Sequence, residues 1–167
     1  MSKVAVLDMP IGADRQQRQE ELGKASGLLQ IPLTDIFLQK ATPSEVQRVF
    51  AEIPQERPDA IIVHPREELS RYRQLIVELA EKNRLPAMYP WLEYVEAGGL
   101  MAYTVDLGEL YRRMADDVHE ILNGAKPGDI PIYLPTKYKL AINLQAAKAI
   151  GLTFPSAVLA AADDVIE

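Results

Sequence analysis

The amino-acid sequence predicts an α/β protein centred on a doubly wound, Rossmann-like parallel sheet. Three observations carry that expectation. The runs Val4-Ala5-Val6-Leu7 and Ala60-Ile61-Ile62-Val63 are continuously apolar and rich in β-branched residues, as strands covered by helices on both faces should be. Helix-length segments separate the runs, so residues 3–90 read βαβαβαβ, the alternation that builds a parallel sheet through right-handed crossovers. The strand-like runs also give way to proline-bearing turns, among them Asp8-Met9-Pro10 and His64-Pro65.

The elements follow in order. The strand at Val4 to Leu7 enters the loop Asp8-Met9-Pro10-Ile11-Gly12, and a polar helix with few apolar residues fits Ala13 to Ser26, with Gly27 as its stop. Leu33 to Leu38 form a second strand, and Pro32 at its start places it near an edge. Thr42-Pro43-Ser44-Glu45 is a cap and first turn for a helix with Val46, Val49, Phe50 and Ile53 on one face and a break at Pro54. After the strand at Ala60 to Val63, the spacing of Leu69, Leu75, Ile76, Leu79 and Ala80 predicts helix up to Asn83, and Pro86 to Tyr89 form a fourth strand.

Beyond Trp91 the pattern changes. A short helix through Tyr94 and Val95 stops at Gly98-Gly99, and Leu100 to Tyr103 form a fifth strand. Asp106 caps a strongly amphipathic helix through Leu107, Leu110, Tyr111, Met114, Val118, Ile121 and Leu122, which ends at Asn123-Gly124. Residues 125–135 are a proline-bearing linker, Tyr138 to Ile142 a strand, and Leu144 to Ile150 and Ser156 to Ala161 two short helices, the first closed by Gly151.

Composition narrows the functional classes. The chain has 167 residues, 48% hydrophobic and 25% charged, enough for one core. With 18 Lys and Arg against 24 Asp and Glu the net charge is -6, and bases and aromatics do not interleave, so nucleic acid is not an expected partner. No apolar run is long enough to span a membrane, and the N-terminus lacks a signal-peptide pattern, so the chain as written reads as cytoplasmic; as a piece of a secreted precursor it would be periplasmic. The absence of cysteine excludes disulfides, thiol nucleophiles and a lipobox anchor.

The stretch Leu85 to Tyr103, L-P-A-M-Y-P-W-L-E-Y-V-E-A-G-G-L-M-A-Y, is followed by Ala141-Ile142-Asn143-Leu144, Ala147-Lys148-Ala149 and Gly151-Leu152. Together these strings resemble the ABC-transporter substrate-binding proteins of the tryptophan/tyrosine-binding type, matching their second half only. The resemblance implies one lobe of a type I periplasmic-binding-protein fold plus a crossover segment, a bound small molecule, no catalysis, and an ABC permease as partner. On that reading residues 1–97 are the α/β lobe. Residues 98–135 are a crossover strand and amphipathic helix serving oligomerisation, and residues 136–167 return to the lobe. Without a first lobe, the Leu100 to Tyr103 strand and the amphipathic helix would lack their usual partners, so that either the segment folds back or a second copy covers it, and a homodimer, with or without exchanged elements, is the favoured reading.

Ligands of doubly wound sheets sit beyond the carboxyl ends of the strands, here Asp8 to Gly12, Leu38 to Lys40, His64 to Glu67 and Tyr89 to Trp91. The candidate ligand-binding residues are Asp8, Pro10, His64, Arg66, Tyr89, Trp91, Gly98, Gly99 and Tyr103. Tyr89, Trp91, Tyr94 and Tyr103 could stack on an amphipathic molecule or simply pack the core. Gly98 and Gly99 could offer amides to a carboxylate or simply end a helix. Asp8 could accept an ammonium and Arg66 pair with a carboxylate, although Arg66 and Glu67 also read as a solvated helix start. Where relatives show an Asn-Pro loop after the first strand, this chain has Asp8-Met9-Pro10, and after the third strand it has His64-Pro65-Arg66-Glu67-Glu68.

No catalytic residue, cofactor or metal site is expected. Asp116, His119 and Glu120 have a loose metal-like spacing but read as a charged helix face, and no G-x-S-x-G, P-loop or G-x-G-x-x-G motif occurs. Three readings stay open: a small-molecule binding module truncated to one lobe and dimeric, a cytoplasmic structural or regulatory remnant that dimerises without transport, and a small α/β enzyme using His64.

Overall fold

The computed structural model describes residues 3–9 and 14–167. Seven strands form one sheet in the order β2-β1-β3-β4-β5-β6-β7. These are β1 (Val4–Asp8), β2 (Leu33–Phe37), β3 (Ala60–Val63), β4 (Ala87–Tyr89), β5 (Met101–Val105), β6 (Tyr138–Asn143) and β7 (Asp164–Ile166). Neighbours from β2 through β5 pair in parallel, β6 runs antiparallel to β5, and β7 is parallel to β6. The sheet is therefore doubly wound and mostly parallel, with β2 on the edge that Pro32 indicated.

The helices are α1 (Asp14–Leu29), α2 (Pro43–Glu56), α3 (Glu67–Ser70), α4 (Arg73–Lys82), α5 (Leu92–Glu96), α6 (Leu107–Leu122), α7 (Leu144–Ile150) and α8 (Ser156–Ala160). α2 packs on α4 and α4 on α5 over one face of the sheet. Val46, Val49, Phe50, Ile53, Ile76 and Val95 of these helices meet Leu7, Ile61, Val63 and Ala102 of the strands in a single buried core. Thr42 caps α2 by accepting from the Glu45 amide at 3.3 Å, while Glu45 reaches back to accept from the Gln39 amide at 2.9 Å. Thr42→Ala should cost about 1 kcal/mol of stability, read as a shift in urea midpoint at constant slope.

Four expectations are corrected. Gly27 does not stop α1, which runs on to Leu29 and closes at Gln30 in the left-handed region, φ 55°. A glycine with open space around it weakens a helix without ending it. Pro54 does not break α2 either; it lies in the last turn, where the missing amide forfeits one bond, and Arg57 closes the helix on the Ile53 carbonyl. β3 is not equally covered on both faces: Ile61 and Val63 are buried while Ala60 and Ile62 are only partly so. Ile62, Met88 and Met101 are neighbours across β3, β4 and β5, and with Phe154 they line an apolar groove of about 590 Å³ on the less covered face.

The fourth correction concerns the strand expected to be left unpartnered. β5 is paired on both sides, by β4 and β6, so its backbone is not left without partners, and much of the exposed apolar surface lies on α6 and the segment after it. Asp106 caps α6 from the Glu109 amide at 3.1 Å, and yet no residue of the helix is buried. Tyr111, Met114, Val118 and Leu122 present an apolar stripe to solvent, and Ile132 is 92% exposed. The excursion leaves through β5 and returns through β6. Its two ends are pinned together where Val105 faces Tyr138 and the Asp106 amide donates to the Lys137 carbonyl at 3.1 Å. β7 was not foreseen, because a three-residue strand carrying Asp164 beside Val165 shows no apolar period.

Candidate functional site

The carboxyl ends of β1, β3 and β4 meet at one rim, and its charged centre is Asp8. The side chain has no exposed surface. Its Oδ1 accepts from the Met9 amide at 2.7 Å and from Arg66 Nε at 3.2 Å, and lies 3.3 Å from His64 Nδ1. Its Oδ2 is 2.8 Å from Nε of Arg18, a nearly buried side chain of α1 that also lies 3.5 Å from Asp35 on β2. Burial alone would raise the Asp8 pKa. The His64 contact, the Met9 amide and the Arg18 charge outweigh it and bring the carboxyl down to about 2. Asp8 is an anion whose acceptor sites face its own chain, and what it does is tie the ends of β1, β2 and β3 to α1.

Trp91 and Tyr103 come together. They border an open groove of about 240 Å³ whose other walls include Pro65, Met88, Val105 and Tyr138. Tyr103 is half exposed and stacks on Tyr138 with ring centroids 5.3 Å apart and planes 11° apart. Antiparallel pairing of β5 with β6 produces that stack, since the two positions are diagonal neighbours on one face. A flat aromatic shelf beside a partly exposed indole can sandwich a planar apolar group.

Of the other candidates, Tyr89 also lines this groove, whereas Gly98 and Gly99 do not. Tyr89 is buried and stacks on Tyr94 at 4.9 Å and 13°. The Gly98 amide donates to the Val95 carbonyl at 3.0 Å and the Gly99 amide to the Tyr94 carbonyl at 2.8 Å, closing α5. Both glycines precede β5 and so sit at the opposite end of the sheet from the rim. Pro10 lies outside the described residues. Arg18 and Asp35 were missed by sequence reading; the available signal was a buried strand ending in an acid, followed by a helix too polar to be held by apolar contacts alone. Among the described residues no group of three or more His, Cys, Asp or Glu is placed to hold a metal ion, and no helix is long and apolar enough to cross a membrane.

The sheet order and the antiparallel β5–β6 pair define one lobe of a periplasmic-binding-protein-like fold. The chain belongs to the ABC transporter substrate binding protein family, whose model matches residues 4–166. Among solved structures it is similar to a conserved domain protein from Vibrio cholerae, at 25% identity over 98% of this chain, with a TM-score of 0.86. It shares its fold with an ABC domain from Streptococcus pneumoniae in complex with L-Trp, at 22% identity, 99% coverage and a TM-score of 0.83. It also shares its fold with the ligand-free, open structure of a substrate binding protein with adhesive properties from Clostridium difficile, at 17% identity, 99% coverage and a TM-score of 0.72. The chain spans little more than half of each of these proteins, 54%, 56% and 54% of their lengths. No curated protein matches the sequence.

Proposed function

We propose that this chain is the solute-gripping lobe of a non-catalytic binding protein of the ABC-transporter type, holding an amphipathic, amino-acid-like or aromatic molecule at the rim. The observation that carries the reading is the convergence of Trp91 with the Tyr103–Tyr138 stack on one open groove at the ends of parallel strands. The L-Trp complex of the streptococcal neighbour supports an aromatic solute. Asp8, His64 and Arg66 shape the rim from below. A type I clamp needs a second wall, and we assign that role to a second copy of this chain docked through α6, whose apolar stripe is open to solvent. Residues 98–135 then act as the oligomerisation segment, and an ABC permease is the downstream partner.

Native mass spectrometry in the presence of L-tryptophan tests the reading in one measurement. The expected spectrum is a dimer with discrete added ligand mass, and Trp91→Ala should weaken binding by about tenfold or more through lost aromatic contact. A ligand-free monomer, or a Trp91→Ala variant that binds as well as the wild type, overturns it.

A further inference from the structure

Trp91 borders a second depression on its other side, between α4, α5 and the start of α6. This cavity is about 360 Å³ and is lined by Ser70, Arg73, Trp91, Glu93, Tyr94 and Tyr111. Its floor is rigid and uncharged. Tyr94 has no exposed surface and is stacked on Tyr89, and burial pushes its hydroxyl up to about 12. Gly99 leaves no slack beneath, since a Cβ there would lie 2.6 Å from the Tyr89 ring. At the mouth stand one cation and one anion. Arg73 Nη1 donates to the Ser70 carbonyl at 3.3 Å, and Arg73 and Glu93 form no ion pair with each other among the described residues, although both line the cavity.

We infer that Arg73 and Glu93 form a head-group subsite that selects a zwitterionic solute, Arg73 taking its carboxylate and Glu93 its ammonium. This inference rests on the solute-binding reading above and adds the residues that set specificity. Two opposite charges, unpaired among the described residues and beside the buried Tyr94 ring, complement a ligand bearing both signs, and they penalise one that carries only one, because the unmatched side chain then loses solvent without gaining a partner. Guanidinium suits the carboxylate because its planar fork can pair with both oxygens. Since Trp91 borders both hollows, a head group held here leaves the apolar part of the ligand free to lie in the Tyr103 groove.

Isothermal titration of wild type, Arg73→Gln and Glu93→Gln with L-tryptophan, tryptamine and indole-3-propionate tests the assignment. Wild type should prefer L-tryptophan over each single-charge analogue by about tenfold or more. Arg73→Gln should erase the preference over tryptamine, with L-tryptophan binding weakened and tryptamine binding no weaker than in the wild type, and Glu93→Gln should erase the preference over indole-3-propionate. Both side chains are exposed, so the variants should fold, as circular dichroism will show. Variants that keep the wild-type preferences overturn the subsite; if Trp91→Ala still weakens binding in the same assay, the groove reading stands without it. A wild type that binds none of the three probes overturns the aromatic-solute reading and this inference with it.

Discussion

Gly99→Ala is expected to destabilise the protein by roughly 3 kcal/mol, near the upper end of what overpacking a core does. An added Cβ would lie 2.6 Å from Tyr89 Cε2 and 2.6 Å from the Tyr94 carbonyl oxygen. The first contact is a ring sandwiched against Tyr94, and the second is backbone at the end of α5, so neither can yield by a simple rotamer change. Gly98 provides the control. It has φ 98°, and its added Cβ would meet only Val77 Cγ1, at 3.8 Å. Gly98→Ala should therefore cost about 1–2 kcal/mol, from left-handed backbone strain alone. Urea unfolding of both variants orders the two effects. Gly99→Ala within about 0.5 kcal/mol of wild type would mean that the ring stack has room the structure does not show.

Asp8→Asn is expected to cost about 3 kcal/mol or more, because it strands Arg18, a nearly buried cation whose other ion-pair partner among the described residues is Asp35 at 3.5 Å. The pH dependence is distinct in sign. The folded-state pKa of about 2 lies below the ordinary 3.8, so the ionised carboxylate stabilises the fold fully above pH 4, and that contribution is lost as pH falls from 4 to 2. Each tenfold difference in proton affinity between the folded and unfolded chain is worth about 1.4 kcal/mol, so the loss is roughly 2 kcal/mol. The substitution costs more than the titration because it removes the anion while leaving the buried guanidinium in place. Stability curves of wild type and Asp8→Asn between pH 2 and 6 check both statements: the wild type should steepen below pH 4 relative to the variant, and parallel curves would show that Asp8 is not the linked group.

Sequence reading reached much of the fold because buried parallel strands and capped helices leave strong local marks. Val4 to Leu7, Ala60 to Val63, the Thr42 cap and the Asp106 cap all fall where periodicity and capping chemistry put them. What stayed hidden was non-local. That β5 is held between β4 and β6 depends on a pairing of residues 101–105 with 138–142, which no local pattern encodes. The site divides in the same way. Trp91 and Tyr103 were recognisable as aromatics near strand ends, whereas the charged partners of Asp8 come from α1 and the loop after β3, and Arg18 reads in sequence as one more polar residue on a polar helix. The charges of Arg73 and Glu93 are twenty residues apart, and only the packing of α4 against α5 brings them to one cavity.

The pinned exit and return of the α6 excursion set its mechanics. A body held through two adjacent, register-locked strands cannot swivel freely, because twisting would shear the ladder in which Tyr103 faces Leu140 and Val105 faces Tyr138. It can bend across the ribbon, out of the plane of the sheet, at the cost of local dihedral changes near Asp106 and Lys137. The apolar stripe of α6 is thus carried on a leaf spring with one soft direction. The aromatic groove, which Val105 helps to line, lies directly at that bend.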